Sequence, residues 1–153
     1  MKTVVAVDAC ALILALETPT NDEARARRQE HARFEIAKLD DEGAEFIIPA
    51  PVLAELYAGG PDGEKVAEEL VKRQMNLRVH AFEIEAARLS GQITAVRLRE
   101  RGPVTRTVVK FDAMIAAAAA SAGATHILTA DSDIAKCVAL LPPSKQMRVI
   151  ELP

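Results

Sequence analysis

Residues 3–8 read Thr-Val-Val-Ala-Val-Asp. Thr3 to Val7 is short, β-branched and almost wholly apolar. A run of that kind predicts a strand buried on both faces, which implies a parallel sheet with helices on each side. Asp8 closes the strand. Ala9 to Glu17 follows as an apolar, Leu- and Ala-rich helix. The order strand, acid, buried helix sets the pattern for the rest of the chain.

Outward from this unit, Thr18-Pro19-Thr20-Asn21-Asp22 breaks and recaps the chain. Glu23 to Glu42 reads as a long charged helix, stopped by Gly43. Glu45 to Ile48 is a second strand and Pro51 to Ala58 a helix opened by its proline, ended at Gly59-Gly60-Pro61. Gly63 to Arg73 is amphipathic, and Leu77 to His80 is a third strand. Glu83 to Arg101 is a long helix broken at Gly102-Pro103. Lys110 to Ala122 is helical, with the run Ala116 to Ala120 small enough to lie close on a sheet. Thr125 to Leu128 is a strand, Asp131 to Leu140 a helix, and Arg148 to Leu152 the last strand. The alternation predicts an α/β fold, a three-layer α/β/α sandwich around a parallel sheet of about five strands. No repeat or linker divides the 153 residues, so one domain over 1–153 is expected.

Half the residues are hydrophobic and 27% are charged, a globular composition. Lys and Arg number 19 against 22 Asp and Glu, which excludes a strongly basic protein that coats phosphates. Aromatics are 3% with no Trp, too few for a base-stacking platform. Cys10 and Cys137 are far apart and form no C-x-x-C, so they are read as two buried, reduced thiols. Asp8 interrupts any secretory apolar region, and Ala9 to Leu16 is far shorter than a membrane span. A soluble, cytoplasmic protein without membrane contact is expected.

In an open parallel sheet, ligands bind beyond the carboxyl ends of the strands. Four carboxylates fall there or on the next helix. Asp8 ends the first strand. Asp131 follows the fourth, in Thr-Ala-Asp-Ser-Asp. Asp112 opens the Ala-rich helix, and Glu55 stands between apolar neighbours in Pro-Val-Leu-Ala-Glu-Leu-Tyr. Taken singly, Asp8 and Asp131 also fit helix N-caps and Asp112 fits a helix dipole. Glu55 has no comparable structural purpose. Together, four like charges in one pocket repel by roughly 4 kcal/mol per pair at about 4 Å and effective dielectric 20. A divalent cation removes that cost, and an all-oxygen ligand set selects Mg²⁺ or Mn²⁺ over zinc. Four carboxylates balance two such ions. A site of this kind orients and activates water and stabilises charge on a phosphoryl group. No Walker A, no G-x-S-x-G and no histidine triplet offers another chemistry.

These residues resemble PIN-domain ribonucleases, in particular the small VapC-type toxins of toxin–antitoxin pairs. The resemblance rests on Val-Val-Ala-Val-Asp-Ala-Cys-Ala-Leu with Asp8, Pro-Ala-Pro-Val-Leu-Ala-Glu-Leu with Glu55, Lys-Phe-Asp-Ala-Met-Ile-Ala-Ala-Ala-Ala with Asp112, and Thr-Ala-Asp-Ser-Asp with Asp131. It implies a parallel α/β/α sandwich that binds Mg²⁺ or Mn²⁺, as one or two ions, and cleaves RNA. Asp8, Glu55, Asp112 and Asp131 would be its catalytic and metal-binding quartet, and Thr129 a supporting hydroxyl. Asp133 is a fifth acid, read equally well as a ligand or as a first-turn Asp. The resemblance also implies a homodimer and an antitoxin seated in a groove near the acids. The apolar residues of Val52 to Tyr57 and of Val66 to Val71 offer a patch for self-association, or ordinary core. Two positions depart from the family pattern. Ala-Cys-Ala-Leu follows the first Asp where a hydroxyl or amide residue is common, and Ile134 stands where an aromatic is common.

RNA needs positive charge near the site. Arg97, Arg99, Arg101, Arg106 and Lys110 precede Asp112 and are the expected RNA-binding cluster. Arg25, Arg27, Arg28 and Arg33 read better as a solvated face. Two other functions stay in view. One is a PIN-like module that binds RNA or protein without cutting. The other is a phosphohydrolase with Asp8 as nucleophile, although position 10 is Cys where a second Asp is wanted.

Overall fold

The computed structural model describes residues 1–72, 77–100 and 102–153. The chain runs β1 (Val4–Val7), α1 (Ala9–Leu16), α2 (Glu23–Asp41), β2 (Glu45–Pro49), α3 (Ala50–Ala58) and α4 (Gly60–Lys72). It continues through β3 (Leu77–His80), α5 (Ile84–Glu100), α6 (Arg106–Ser121), β4 (His126–Thr129), α7 (Ser132–Val138), a 3-10 turn at Pro143–Lys145, and β5 (Arg148–Glu151). Among these residues five strands form one sheet in the order β3-β2-β1-β4-β5, with every neighbouring pair parallel.

The register aligns Val5 with Phe46 on one side and with His126 on the other. Val5, Ala6, Val7, Ile47, Ile48, Ile127 and Leu128 are all buried, as strands covered on both faces require. From β1 the chain steps toward β2 and β3. From β4 it steps the other way, to β5. Parallel crossovers are right-handed, so opposite steps put their helices on opposite faces. Most contacts follow that rule: helix α1 packs on α2, α3 and α4, and α6 packs on α5 and α7, while α3 also reaches α6. Ala116 to Ala120 is buried, which lets α6 lie close and touch β2.

Three boundaries differ from the sequence reading. Helix α6 begins at Arg106, four residues before Lys110, because the Thr105 side chain accepts the Val108 N–H at 3.3 Å and caps it. Helix α4 begins at Gly60, so Gly59-Gly60-Pro61 is a junction between two helices instead of a stop. That junction is tight: a Cβ on Gly63 would overlap the Leu56 carbonyl, and only glycine allows the close approach. Helix α5 starts at Ile84 and is described to Glu100; Arg73 and Arg101, expected at helix ends, lie outside the described residues.

The expected apolar patch is mostly core. Val52, Leu56, Val66 and Leu70 are buried, and only Tyr57 and Val71 stand well out. Cys137 is buried but Cys10 is exposed, and both thiols are free, which corrects the reading of two buried cysteines. Among the described residues no helix is long and apolar enough to cross a membrane.

Candidate active site

The two central strands, β1 and β4, lie side by side and send the chain in opposite directions. Their carboxyl ends therefore border the crevice where open α/β sheets bind ligands. Asp8 and Asp131 are the residues that leave them.

Asp8 is 3% exposed. Its Oδ1 accepts the Ala9 N–H at 2.7 Å and its Oδ2 accepts the Thr129 hydroxyl at 2.8 Å. Thr129 is fully buried at the end of β4. Its Oγ1 also accepts the Asp131 N–H at 3.0 Å. One hydroxyl thus joins the exits of both central strands, donating to one acid and holding the backbone of the next. Asp131 caps α7, accepting the Asp133 N–H on Oδ1 at 2.8 Å. The capping roles open at the sequence level for Asp8 and Asp131 are real, and they leave lone pairs free on both carboxylates.

Asp112 comes from the second turn of α6 and is buried. Its Oδ2 is a buried oxygen with no hydrogen-bond partner. Burial first, then the nearby Asp131, Asp8, Asp133 and Glu55 charges, push its carboxyl up to about 7. Glu55 lies on the open side of α3, with Val52 and Leu56 turned to the core. Partial burial, then Asp8 and Asp131, raise its carboxyl. Asp8 is raised as well, mainly by burial, against the pull of its two hydrogen bonds. Asp8, Glu55 and Asp112 are thus harder to ionise, and the Asp131 charge contributes to all three. Cys10, exposed but partly desolvated beside them, has its thiol pushed to about 11 by that desolvation and then by Asp8, Glu55 and Asp131. It is not an activated nucleophile.

The donor set tests well against a hard divalent cation. Every donor is a carboxylate oxygen, and one buried oxygen lacks any partner. Among the described residues no three Asp, Glu, His or Cys side chains converge tightly enough to ligate an ion as they stand. A bound divalent ion would offset the repulsion among these carboxylates.

Asp133 is placed differently. Its Oδ1 accepts from Lys136 Nζ at 2.8 Å and from Arg97 at 3.3 Å. Arg97 is 6% exposed, with its guanidinium turned inward to that acid. The expectation that Arg97 meets RNA at the surface is corrected: a buried cation must be paired, and Asp133 pairs it. Sequence offered no signal for a partner 36 positions away. Arg99, Arg106 and Lys110 are exposed. Lys110 lies about 200° around α6 from Asp112, on the opposite side of the helix. Arg106, one turn before Lys110, shares its face.

Beside the acids, α1 and the α3–α4 junction enclose a groove of about 500 Å³. Ile13, Leu16, Leu56 and Val66 form an apolar lining, and Glu17, Glu55, Asp62 and Glu69 give it four acids against Lys65 alone.

No curated protein sequence matches the chain. Solved structures do match its fold. The VapBC2 complex of Rickettsia felis, bound to a DNA fragment from its promoter, superposes with a TM-score of 0.67 at 14% identity, covering 99% of this chain and 100% of that one. DNA-bound VapBC of Salmonella typhimurium gives 0.62 at 20% identity, covering all of both chains. FitAcB of Neisseria gonorrhoeae gives 0.58 at 18%, covering 96% of each. At these identities the likeness is one of fold. The sequence profile of the PIN domain matches residues 5–139, a span that runs from β1 through α7 and takes in Asp8, Glu55, Asp112 and Asp131. With that span and this sheet order, the chain belongs to the PIN domain family.

Proposed function

We propose that this chain is a metal-dependent endoribonuclease that hydrolyses RNA phosphodiester bonds, and that it is the toxin of a toxin–antitoxin pair. The observation that carries the reading is the buried, unpartnered Asp112 Oδ2 in a field of three further carboxylates at the sheet's switch point. Mg²⁺ or Mn²⁺, as one or two ions, is the proposed cofactor, held by Asp8, Glu55, Asp112 and Asp131. Such an ion supplies an activated water and stabilises charge on the phosphoryl oxygens. The chain's residues do the positioning. Thr129 fixes Asp8 and the Asp131 backbone, so two of the carboxylates enter the crevice from rigid strand ends. Glu55, exposed on the solvent side of α3, is the acid of the four most open to substrate entering the crevice. Arg99, Arg106 and Lys110 are proposed RNA contacts. From the far side of α6, Lys110 and Arg106 can meet only phosphates distant from the scissile one, so affinity is modest and its salt dependence shallow.

The proposed partner is an antitoxin whose apolar, basic segment fills the groove between α1 and the α3–α4 junction, where the acidic lining complements it. This reading rests on the resemblance to VapC-type toxins, and the matched folds are those of VapBC and FitAB complexes. A single PIN-like domain over 1–153, acting in the cytoplasm as a homodimer, completes the proposal.

A second reading keeps its place because no three ligands converge as they stand: a silent PIN-like module that binds RNA or protein without cutting. A phosphohydrolase using Asp8 is disfavoured, since Cys10 stands where a second Asp is wanted and its thiol is pushed up to about 11. The deciding experiment is RNA cleavage with Mg²⁺ or Mn²⁺. Asp8→Asn and Asp112→Asn should each reduce the rate on the order of a hundredfold or more. Cleavage that survives both changes in EDTA would sink the nuclease. RNA binding without cleavage or Mn²⁺ binding would install the silent module.

A further inference from the structure

Three charged side chains are buried among the described residues: Asp8, Asp112 and Arg97. All three lie at the acidic crevice. Arg97 sits in the last turn of α5. Its guanidinium reaches Asp133 Oδ1 at 3.3 Å and lies against the Cys137 thiol. Its Nε is buried without a partner among the described residues, and its bond to a charged acceptor goes to Asp133 Oδ1. A buried guanidinium with a single carboxylate partner is expensive. Core packing alone is met more cheaply by Leu or Met at that position, so the charge needs another purpose.

That purpose is legible in what Asp133 does next. Its N–H donates to Asp131 Oδ1, the Asp131 N–H donates to Thr129, and the Thr129 hydroxyl donates to Asp8. A continuous line of hydrogen bonds runs from α5 through the first turn of α7 and the end of β4 to β1. Asp133 spends Oδ1 on two cations, Arg97 and Lys136.

We propose that Arg97 is the inner positioning residue of the acidic site: it pins Asp133, and through it the first turn of α7 that aims Asp131, and it withdraws Asp133 from the cation-ligating set. The proposal rests on the reading of Asp8, Glu55, Asp112 and Asp131 as a cation site. Asp131 is aimed by a turn of helix only seven residues long, whose N-terminal end has no other buried charge to hold it. Partners that orient a ligand commonly change affinity by tenfold to a hundredfold.

The experiment has two arms, both on the full chain. In the metal-free protein, amide hydrogen exchange is followed at Asp133 and Ile134, whose N–H groups bond to Asp131. Arg97→Met should speed exchange there about tenfold while the buried turns of α6 keep their protection. In the second arm, Mn²⁺ binding is measured by calorimetry. Arg97→Met should weaken it about tenfold or more. Asp133→Asn keeps an oxygen that accepts from Arg97, so it should stay within about threefold of wild type, whereas Asp131→Asn should not. Unchanged exchange in Arg97→Met overturns the proposal. So does an Asp133→Asn loss equal to that of Asp131→Asn, which would make Asp133 a ligand. If Arg97→Met does not fold, Arg97→Lys keeps the charge and loses the planar fork, and the same exchange contrast decides. Wild-type protein that binds no Mn²⁺ overturns the cation-site reading, while the exchange arm still judges the pinning by itself.

Discussion

Two groups of charges in this molecule use the same residue types to opposite ends. At the turn after α1, Glu17 accepts both Arg25 Nε and an Arg25 terminal nitrogen at 2.8 Å, and Gln29 at 2.8 Å. Arg33 closes the bracket on the Ala15 and Glu17 carbonyls. Every charge there has its complement, and the Arg25 hydrogen bond holds the Glu17 carboxyl below its ordinary value. In the crevice, Asp112 Oδ2 has no partner among the described residues, and burial with neighbouring carboxylate charge raises the carboxyls of Asp8, Glu55 and Asp112, the last to about 7. Charge satisfied inside the chain is scaffold. Charge left in want of a partner is a site awaiting one.

The largest test of that contrast combines pH and metal. A carboxyl raised in the fold binds its proton more tightly there than when unfolded. Its stabilising contribution is full below the ordinary value of 3.8 and is lost as pH rises through about 7. Metal-free protein should therefore melt several degrees lower at pH 7 than Asp112→Asn, with the gap closing toward pH 4. Glu17 has the opposite sign: its contribution is present above its ordinary 4.5 and fades as pH falls. Mn²⁺ should raise the melting temperature of wild type and not of Asp112→Asn, because it binds only the folded site. Melting indifferent to both Mn²⁺ and Asp112→Asn would show that the acids do not act as a cluster.

Next in size is Thr129→Val, which keeps the shape and removes the hydroxyl between Asp8 and Asp131. Stability should fall by about 1–3 kcal/mol, the cost of leaving buried polar groups unpaired. Cleavage should fall about tenfold or more, since both carboxylates lose their tether. Equal cleavage by Thr129→Val and wild type would remove Thr129 from the site. Smallest is Arg25→Ala in the satisfied bracket. Its half-exposed ion pair should cost below about 1 kcal/mol in chemical denaturation. Cleavage should be unaltered, and a large drop would mean that the bracket is part of the site after all.

Much of this was readable along the chain, for physical reasons. Buried strands need unbroken apolar runs, and Thr3 to Val7 has no other plausible home. Asp8 and Asp131 were visible because strand ends are short, local signatures, whereas Asp112, read as opening its helix, lies in the second turn of α6. Helix starts were less legible. The Thr105 cap moved α6 forward to Arg106, since one side-chain hydrogen bond outweighed the charged residues that blurred the boundary. Glu55 stood out by its apolar neighbours, but which face of α3 it takes followed only from the packing of Val52 and Leu56. The basic cluster misled. Adjacent arginines look alike in sequence, yet Arg97 points inward and Arg99 outward, because a helix turns about 200° between them.

By itself the sequence determined a parallel α/β sheet, four acids at the edges where such sheets bind ligands, and a charge balance that excludes a basic coat or a stacking platform. Those depend on local patterns of two to five residues. The tertiary structure decided which charges meet. It joined Asp8 to Asp131 through Thr129, left Asp112 Oδ2 without a partner, and paired Arg97 with Asp133 across 36 positions. Such contacts are set by the order in which parallel strands are laid side by side, β1 against β4, and no local pattern carries that order.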